Sequence, residues 1–382
     1  MNSSSIIIVT LMREHGETGK QTYFNAFHHY LQEQGIRSWV ITPFNLSSFI
    51  TFPIFGIRKL IDPLNGHLSI WWYRYWHYQI LKQALKKKLN QLDNPNNAIF
   101  FAQCPLSAKA ALKVRASNKQ KVVMAVHFNI SQADEWVDKG KISTDSWLYN
   151  QIRNIESEVI SELDGIIYVS QFMRDTIEGS IPQSRTIPSV VLSPFVKARE
   201  YPETRLIRDD LISIGTLEPR KNQTYLLYVL SEAKKQGYRY SLTLVGEGPS
   251  REKLEKLAAS LDIKDQVIFA GFQPKASRLL PQFRVYAHSA LLENRPVAIL
   301  EAMACSLPIL AAGTGGIPEC FSDGNEGYYW SLSDPIDGAK KLIQLMESPT
   351  IYDSMRQASK DRFKTSFSQE VIASQILNFL VV

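Results

Sequence analysis

A chain of 382 residues exceeds one ordinary domain and suits two, and its 45% hydrophobic and 21% charged content excludes a disordered protein. A net charge of +6 suits an anionic ligand or a membrane surface and does not by itself imply nucleic acid. Three cysteines, Cys104, Cys305 and Cys320, form neither a disulfide framework nor a zinc-ligand spacing, which suits a reducing cytoplasm.

The first apolar run, residues 5–11, is short and has no basic residue before it, so it reads as a buried strand rather than a signal peptide. A loop over 13–21 follows, then a helix closed by Gly35 and a second strand over 38–42. This is a βαβ opening with glycine at its first turn. Thr18, Gly19 and Lys20 mimic part of a P-loop, but Glu14 stands at the first required glycine and Gln21 where Ser or Thr is needed. Residues 38–57 carry no charge, yet Pro43 and Pro53 interrupt them and argue against a spanning helix. Residues 45–90 interleave Phe, Trp and Tyr with seven basic residues against one acid, Asp62. That mixture suits contact with an anionic membrane interface. The alternative is a helix with core aromatics and a solvated Lys face; nucleic-acid binding is disfavoured by the remaining motifs. Residues 98–102, 121–127 and 165–170 read as further parallel strands. His127 and Ser170 lie at strand ends, where ligands gather in open α/β sheets.

A run over 190–196 leads into a charged stretch, and the domain boundary falls there, giving a first domain of 1–197 and a second of 198–364. The second domain opens with a strand ending at Gly215, the segment Glu218-Pro219-Arg220-Lys221-Asn222, and a helix from near Asn222. Cations beside a helix start can join the amide dipoles around a diphosphate. Gly246 and Gly248 follow the strand over 241–245, but Arg251 stands where a dinucleotide fingerprint needs its third glycine. The next strand covers 267–273. Glu293 then follows an apolar run in a Pro-bearing loop, and Glu301, after seven intervening residues, falls on the first or second turn of a helix. Ionised carboxylates so placed suit hydroxyl recognition. Pro308 ends that helix, residues 309–312 read as a buried strand, and Gly313, Gly315 and Gly316 free backbone amides to approach an anion. The last helices run from about 335 to 379. No Asp-x-Asp motif occurs, so no dedicated metal site or metal cofactor is expected.

The ordered series Glu293, Glu301-Ala302-Met303-Ala304 and Gly315-Gly316-Ile317-Pro318-Glu319 resembles the family-4 retaining glycosyltransferases. The resemblance spans most of 5–380 and is specific mainly in 211–330. It implies an α/β chain of GT-B fold, with two Rossmann-like domains facing across a cleft. The first would bind the acceptor and the second the nucleotide sugar, and a final helix, from about 365, would cross back to the first domain. The implied reaction moves a sugar, with retention, from a nucleotide diphosphate to a saccharide or lipid-linked saccharide in polysaccharide or glycoconjugate biosynthesis. UDP is the expected nucleotide because it is the family's commonest.

Carried over residue by residue, the resemblance implies catalytic roles for His127, Glu293, Arg220 and Lys221. Arg220 and Lys221 would stabilise the departing diphosphate in place of a metal, aided by amides near Gly315 and Gly316. Glu301 would hold the ribose diol and Glu293 the sugar hydroxyls, with backbone contacts from Asn294, Arg295, Pro296 and Val297. Gly19 and Gly215 match glycine turns of the donor site, and Phe272 and Gln273 stand where the base is met. Two departures matter: Thr216 replaces an Arg common after Gly215, and Asn294-Arg295-Pro296 replaces a Gly- or Phe-rich turn. Arg295 could pair with a sugar carboxylate, favouring UDP-glucuronic acid over UDP-glucose, or it could pair with a nearby acid. A nucleotide-sugar 2-epimerase of the same fold and a non-catalytic sugar-nucleotide-binding protein are the alternatives. The expected location is the cytoplasm, at the inner membrane face if residues 45–90 are interfacial.

Overall fold

The computed structural model describes residues 5–14, 16, 19–128, 130–197 and 207–381. The chain divides into two compact units, Met1–Ser193 with Ile372–Val382, and Pro194–Val371. The expected boundary at 197/198 meets the segment 198–206, which lies outside the described residues.

In the first unit, short apolar runs buried on both faces form parallel strands, as such runs do when helices cover both sides. The elements are β1 (Ser5–Val9), α1 (Gly19–Glu33), β2 (Ser38–Ile41), α2 (Ser48–Ile61), α3 (Gly66–Leu89), β3 (Ala98–Ala102), α4 (Pro105–Val114), β4 (Val122–Val126), α5 (Gln132–Asp138), α6 (Trp147–Ser161), β5 (Gly165–Tyr168), α7 (Gln171–Ser180) and β6 (Ser189–Val191). The sheet runs β2-β1-β3-β4-β5-β6, parallel throughout. Its core joins Ile7, Val9, Phe100 and Met124 to Leu81 and Leu85 of α3 and Leu106 of α4. The uncharged stretch 38–57 is strand, turn and helix, and no helix among the described residues is long and apolar enough to cross a membrane. Of the run over 190–196 only Val190 and Val191 belong to a strand, β6, and Pro194 follows three residues after its end.

The second unit contains β7 (Asp209–Ile214), α8 (Gln223–Lys235), β8 (Leu242–Val245), α9 (Arg251–Ser260), β9 (Val267–Gly271), β10 (Phe283–His288), α10 (Val297–Ala304), β11 (Ile309–Ala312), β12 (Gly327–Trp330), α11 (Pro335–Glu347) and α12 (Pro349–Ser366). The last helix, α13 (Gln369–Val381), begins in the second unit and passes into the first at Ile372. There Phe379 packs against Gly165, where an added Cβ would stand 3.1 Å from its ring. The sheet order is β12-β11-β10-β7-β8-β9, again all parallel. Counted within the unit this is the 3-2-1-4-5-6 order of a doubly wound dinucleotide fold. Gly246 and Gly248 serve close packing: a Cβ at Gly246 would lie 2.0 Å from the Gly215 carbonyl oxygen, and one at Gly248 2.3 Å from that of Leu217.

Candidate active site

In a doubly wound sheet the ligand crevice opens beyond the carboxyl ends of the two strands at which the order reverses. In the second unit those strands are β7 and β10. The loop after β7 carries Gly215, Arg220 and Lys221, and the loop after β10 carries Glu293. Backbone and hydroxyl bonds stitch the two loops together. The Leu291 amide donates to the Arg220 carbonyl at 3.0 Å, and the Ser289 hydroxyl donates to the Lys221 carbonyl at 3.0 Å. The turn after β11 joins them, because the Gly316 amide donates to the Glu293 carbonyl at 2.9 Å. Gly315 has φ +58°, and a Cβ there would stand 2.3 Å from that same carbonyl oxygen, so only glycine fits. Asn222 begins α8 in the left-handed region, at φ 50°. Such a conformation is tolerated best by Gly, Asn and Asp.

Within this frame Glu293 accepts from Arg220 Nη1 at 2.9 Å and from the Lys221 ammonium. Its side chain is only 12% exposed. Burial alone would raise its carboxyl, but the Lys221 ammonium, with His288 and Arg220, outweighs it and brings Glu293 to about 2. Arg220 also donates to Glu218 at 2.8 Å. Burial works against its charge, and the two carboxylates outweigh burial, so the guanidinium is held more firmly protonated than usual. His288, at the end of β10, is pushed down to about 4 by burial and by Lys221, and its Nε2 has no hydrogen-bond partner. The centre thus has two fixed cations, two carboxylates and a neutral imidazole. The sequence reading omitted Glu218 and His288. The first was legible inside the Glu-Pro-Arg-Lys-Asn segment, and the second as a histidine ending an apolar strand, the same signal that singled out His127.

The remaining expected residues of this unit fall around that centre. Glu301 sits on the second turn of α10, which starts at Val297 directly after Pro296, a residue with no amide hydrogen to offer. Asn294 is buried. Gly215 abuts the Lys221 stem, with an added Cβ 3.6 Å from its Cε. Phe272 and Gln273 follow β9, and both are exposed. Of the two readings of Arg295, the structure displays pairing with a nearby acid: its guanidinium is buried, bonded to Glu319, and lies 5.9 Å from the Phe367 ring centre. The Gly316 amide, expected to face a phosphate, is engaged by the Glu293 carbonyl instead.

In the first unit the order reverses between β1 and β3. His127 follows β4, one strand further on. Its Nε2 lies 3.0 Å from Oε1 of Gln103 after β3, and Tyr23 of α1 meets the ring edge-on at 4.9 Å. Burial, reinforced by Lys20, pushes His127 down to about 3. It is therefore a neutral hydrogen-bonding group and not an acid at neutral pH. Gly19 is the first residue of α1, while Thr18 beside it lies outside the described residues. No cluster of three or more His, Cys, Asp or Glu suited to a metal ion occurs among the described residues.

Residues 199–362 match the family model described as "Glycosyl transferases group 1". Over 134 residues the chain is 32% identical to N-acetyl-alpha-D-glucosaminyl L-malate synthase of Bacillus anthracis, covering 35% of each. It is 29% identical over 193 residues to the GDP-mannose-dependent alpha-(1-6)-phosphatidylinositol monomannoside mannosyltransferase of Mycolicibacterium smegmatis, covering 44% of this chain and 49% of that protein. The matches thus span a third to a half of these relatives. The crystal structure of Anabaena Alr3699/HepE in complex with UDP superposes with a TM-score of 0.67 at 16% identity, covering 98% of this chain and 99% of that one. The fold is that of the GT-B glycosyltransferases.

Proposed function

We propose, on the premise that this chain is a group 1 glycosyltransferase by its residues 199–362, that it transfers a hexose from a UDP-sugar to a saccharide or lipid-linked saccharide with retention of configuration. One observation carries the reading: Glu293, kept ionised by Arg220 and Lys221, stands at the strand-order reversal of the second unit. In the reaction the bond between sugar C1 and the phosphate oxygen breaks, and a new bond from C1 to the acceptor oxygen forms on the same face. The acceptor proton passes to the departing phosphate oxygen, so no protein base is required. Negative charge grows on the diphosphate, and prepositioned cations in a partly desolvated site stabilise it strongly. Arg220 and Lys221 take that role, re-pairing from Glu293 as the diphosphate arrives. Glu293 accepts hydrogen bonds from sugar hydroxyls, Glu301 holds the ribose diol, and His127 acts as a neutral hydrogen-bonding partner.

The UDP assignment is supported by the UDP and UDP-glucose complexes of the structural neighbour, although the mycobacterial relative is named for GDP-mannose. The Arg295–Glu319 pair supports a neutral hexose over a uronic acid, because the guanidinium already has its carboxylate. A thermal-shift screen of UDP-, GDP- and ADP-sugars tests the donor, since ligand bound to the native state raises apparent stability. UDP-hexoses are expected to give the largest shift, and the transferred sugar to keep its anomeric configuration by NMR. Turnover is expected to persist in excess EDTA; loss in chelator with recovery in manganese contradicts the cation-only account of the leaving group.

A further inference from the structure

The first unit contains a cavity of about 690 Å³ just beyond β1, lined by the loop at Leu11–Arg13, by Phe44, and by residues of α2 and α3. Four cations border it, Arg13, Arg58, Lys59 and Lys141, against one acid, Asp62. That acid is already satisfied, accepting from Lys141 at 3.0 Å and from the Ser69 hydroxyl at 2.8 Å. Two of the cations are propped on aromatic faces: Arg13 lies 5.0 Å from the Phe44 ring centre and Arg58 4.5 Å from that of Tyr73. Such stacking fixes a guanidinium while leaving its N–H groups available. The cavity therefore has surplus, oriented positive charge on an aromatic wall.

The outer side of α2 is the opposite in character. Phe49, Phe52 and Leu60 are 90%, 80% and 70% exposed, Ile57 is exposed beside them, and Leu64 in the following turn is 85% exposed. Their spacing puts them along one helix face. A stripe of large apolar side chains left in water, on the helix whose other side lines a cationic cavity, matches an amphiphile with an anionic head. It does not match a free sugar. Residues 45–90 as a whole carry seven basic residues and one acid, so charge complementarity points the same way.

We propose that this cavity takes the phosphate-bearing head of a long-chain lipid, while the Phe49–Leu64 stripe seats in the apolar layer of the membrane that holds it. The inference deepens the acceptor half of the proposed function, and rests on that reading only for the use made of the bound lipid. Binding itself is tested without a sugar nucleotide.

The experiment is flotation of the full chain with vesicles of phosphatidylcholine alone and of phosphatidylcholine mixed with phosphatidic acid, which presents a phosphate monoester. Wild type is expected to bind the vesicles with phosphatidic acid, whose phosphate monoester is anionic, at least about tenfold more tightly than those of zwitterionic phosphatidylcholine alone, and increasing salt to weaken that binding. The double change Arg13→Ala/Arg58→Ala should remove the preference. Lys59→Glu, at an exposed position that leaves folding intact, should reduce it as well. Phe52→Ser/Leu60→Ser should abolish flotation on both vesicles. Arg220→Ala, which impairs the donor site, should float as wild type, so failure of the sugar-transfer reading is distinguishable. Equal binding to both vesicles, no binding to either, or an unaltered preference in Lys59→Glu and the double variant overturns the proposal. Binding of soluble glycerol phosphate as tight as that of phosphatidic acid in vesicles, with flotation unaltered in Phe52→Ser/Leu60→Ser, would show a free phosphate ester to be the ligand and would overturn the lipid source.

Discussion

In the proposed reaction Glu293 is the pivotal residue, because it binds the two cations assigned there to the leaving group. Its carboxylate, Arg220 and Lys221 form one cluster, and a diphosphate must compete with the carboxylate for them. Glu293→Gln keeps the shape while removing the competing charge and exchanging one acceptor oxygen for a donor amide. It is expected to bind UDP more tightly, by about 1–2 kcal/mol from the size of a charge-assisted contact, and yet to turn over more slowly because the sugar loses its acceptor. Calorimetry with UDP and steady-state kinetics on the same variant check both halves. Weaker UDP binding with unaltered turnover contradicts the arrangement. The places of Glu293 before a helix and Glu301 on it, of Arg220 and Lys221 just before a helix start, and of His127 at a strand end were legible in sequence, since each follows from residue type and spacing. The partner of Arg295 was not, because Glu319 lies 24 positions away, and only folding of the turn after β11 brings it in.

At the scale of elements, three loops are joined by backbone and hydroxyl hydrogen bonds, and the turn after β11 tolerates no added atom at Gly315. Gly315→Ala would place a methyl against the Glu293 carbonyl and hold a non-glycine residue at positive φ. The expected cost is more than about 1 kcal/mol of stability, together with a larger loss of kcat/KM as the Glu293 loop is displaced. Thermal unfolding and kinetics on that variant check it; a fully active variant with unaltered Tm contradicts the coupling between turn and carboxylate. Most strands were legible as short apolar runs. β12 was not, because its four residues carry two tyrosines between a glycine-bearing turn and a polar one, and only pairing with β11 makes them a strand. Residues 45–90 were legible in composition but not in form. Two helices divide the stretch, and the exposed apolar side chains gather on α2 rather than on the Lys-rich end of α3, where Lys88 lies 3.8 Å from the Trp39 ring centre.

Across the whole molecule, buried titratable groups set the response to pH. His77, His127 and His288 are brought down to about 4, 3 and 4, chiefly by burial. Each is neutral in the folded chain and charged once unfolded below its ordinary value near 6.5, so the unfolded state binds more protons and stability falls as pH drops below that point. Glu293, brought to about 2, extends the loss below pH 4.5. Glu156 opposes it: burial outweighs its bonds to Gln132 and Arg153 and raises it to about 7, so its own contribution favours the acid side between 4.5 and 7. Three histidines outweigh one carboxyl. Apparent Tm is therefore expected to fall steadily from pH 6.5 to 4.5, and a flat or rising Tm over that interval contradicts the burial of these imidazoles. The doubly wound order of each unit was implied by alternating strands and helices. The positions of reversal, which place the site, emerge only from the pairing of β1 with β3 and of β7 with β10.

The most direct measurement is calorimetric titration of UDP into wild type, Arg220→Ala and Lys221→Ala. Charge-assisted contacts of this kind are worth about 1.5–3 kcal/mol, so each variant is expected to bind UDP at least about tenfold more weakly than wild type. UDP affinity unaltered in both variants would contradict the claim that the second unit holds a nucleotide diphosphate at these two cations.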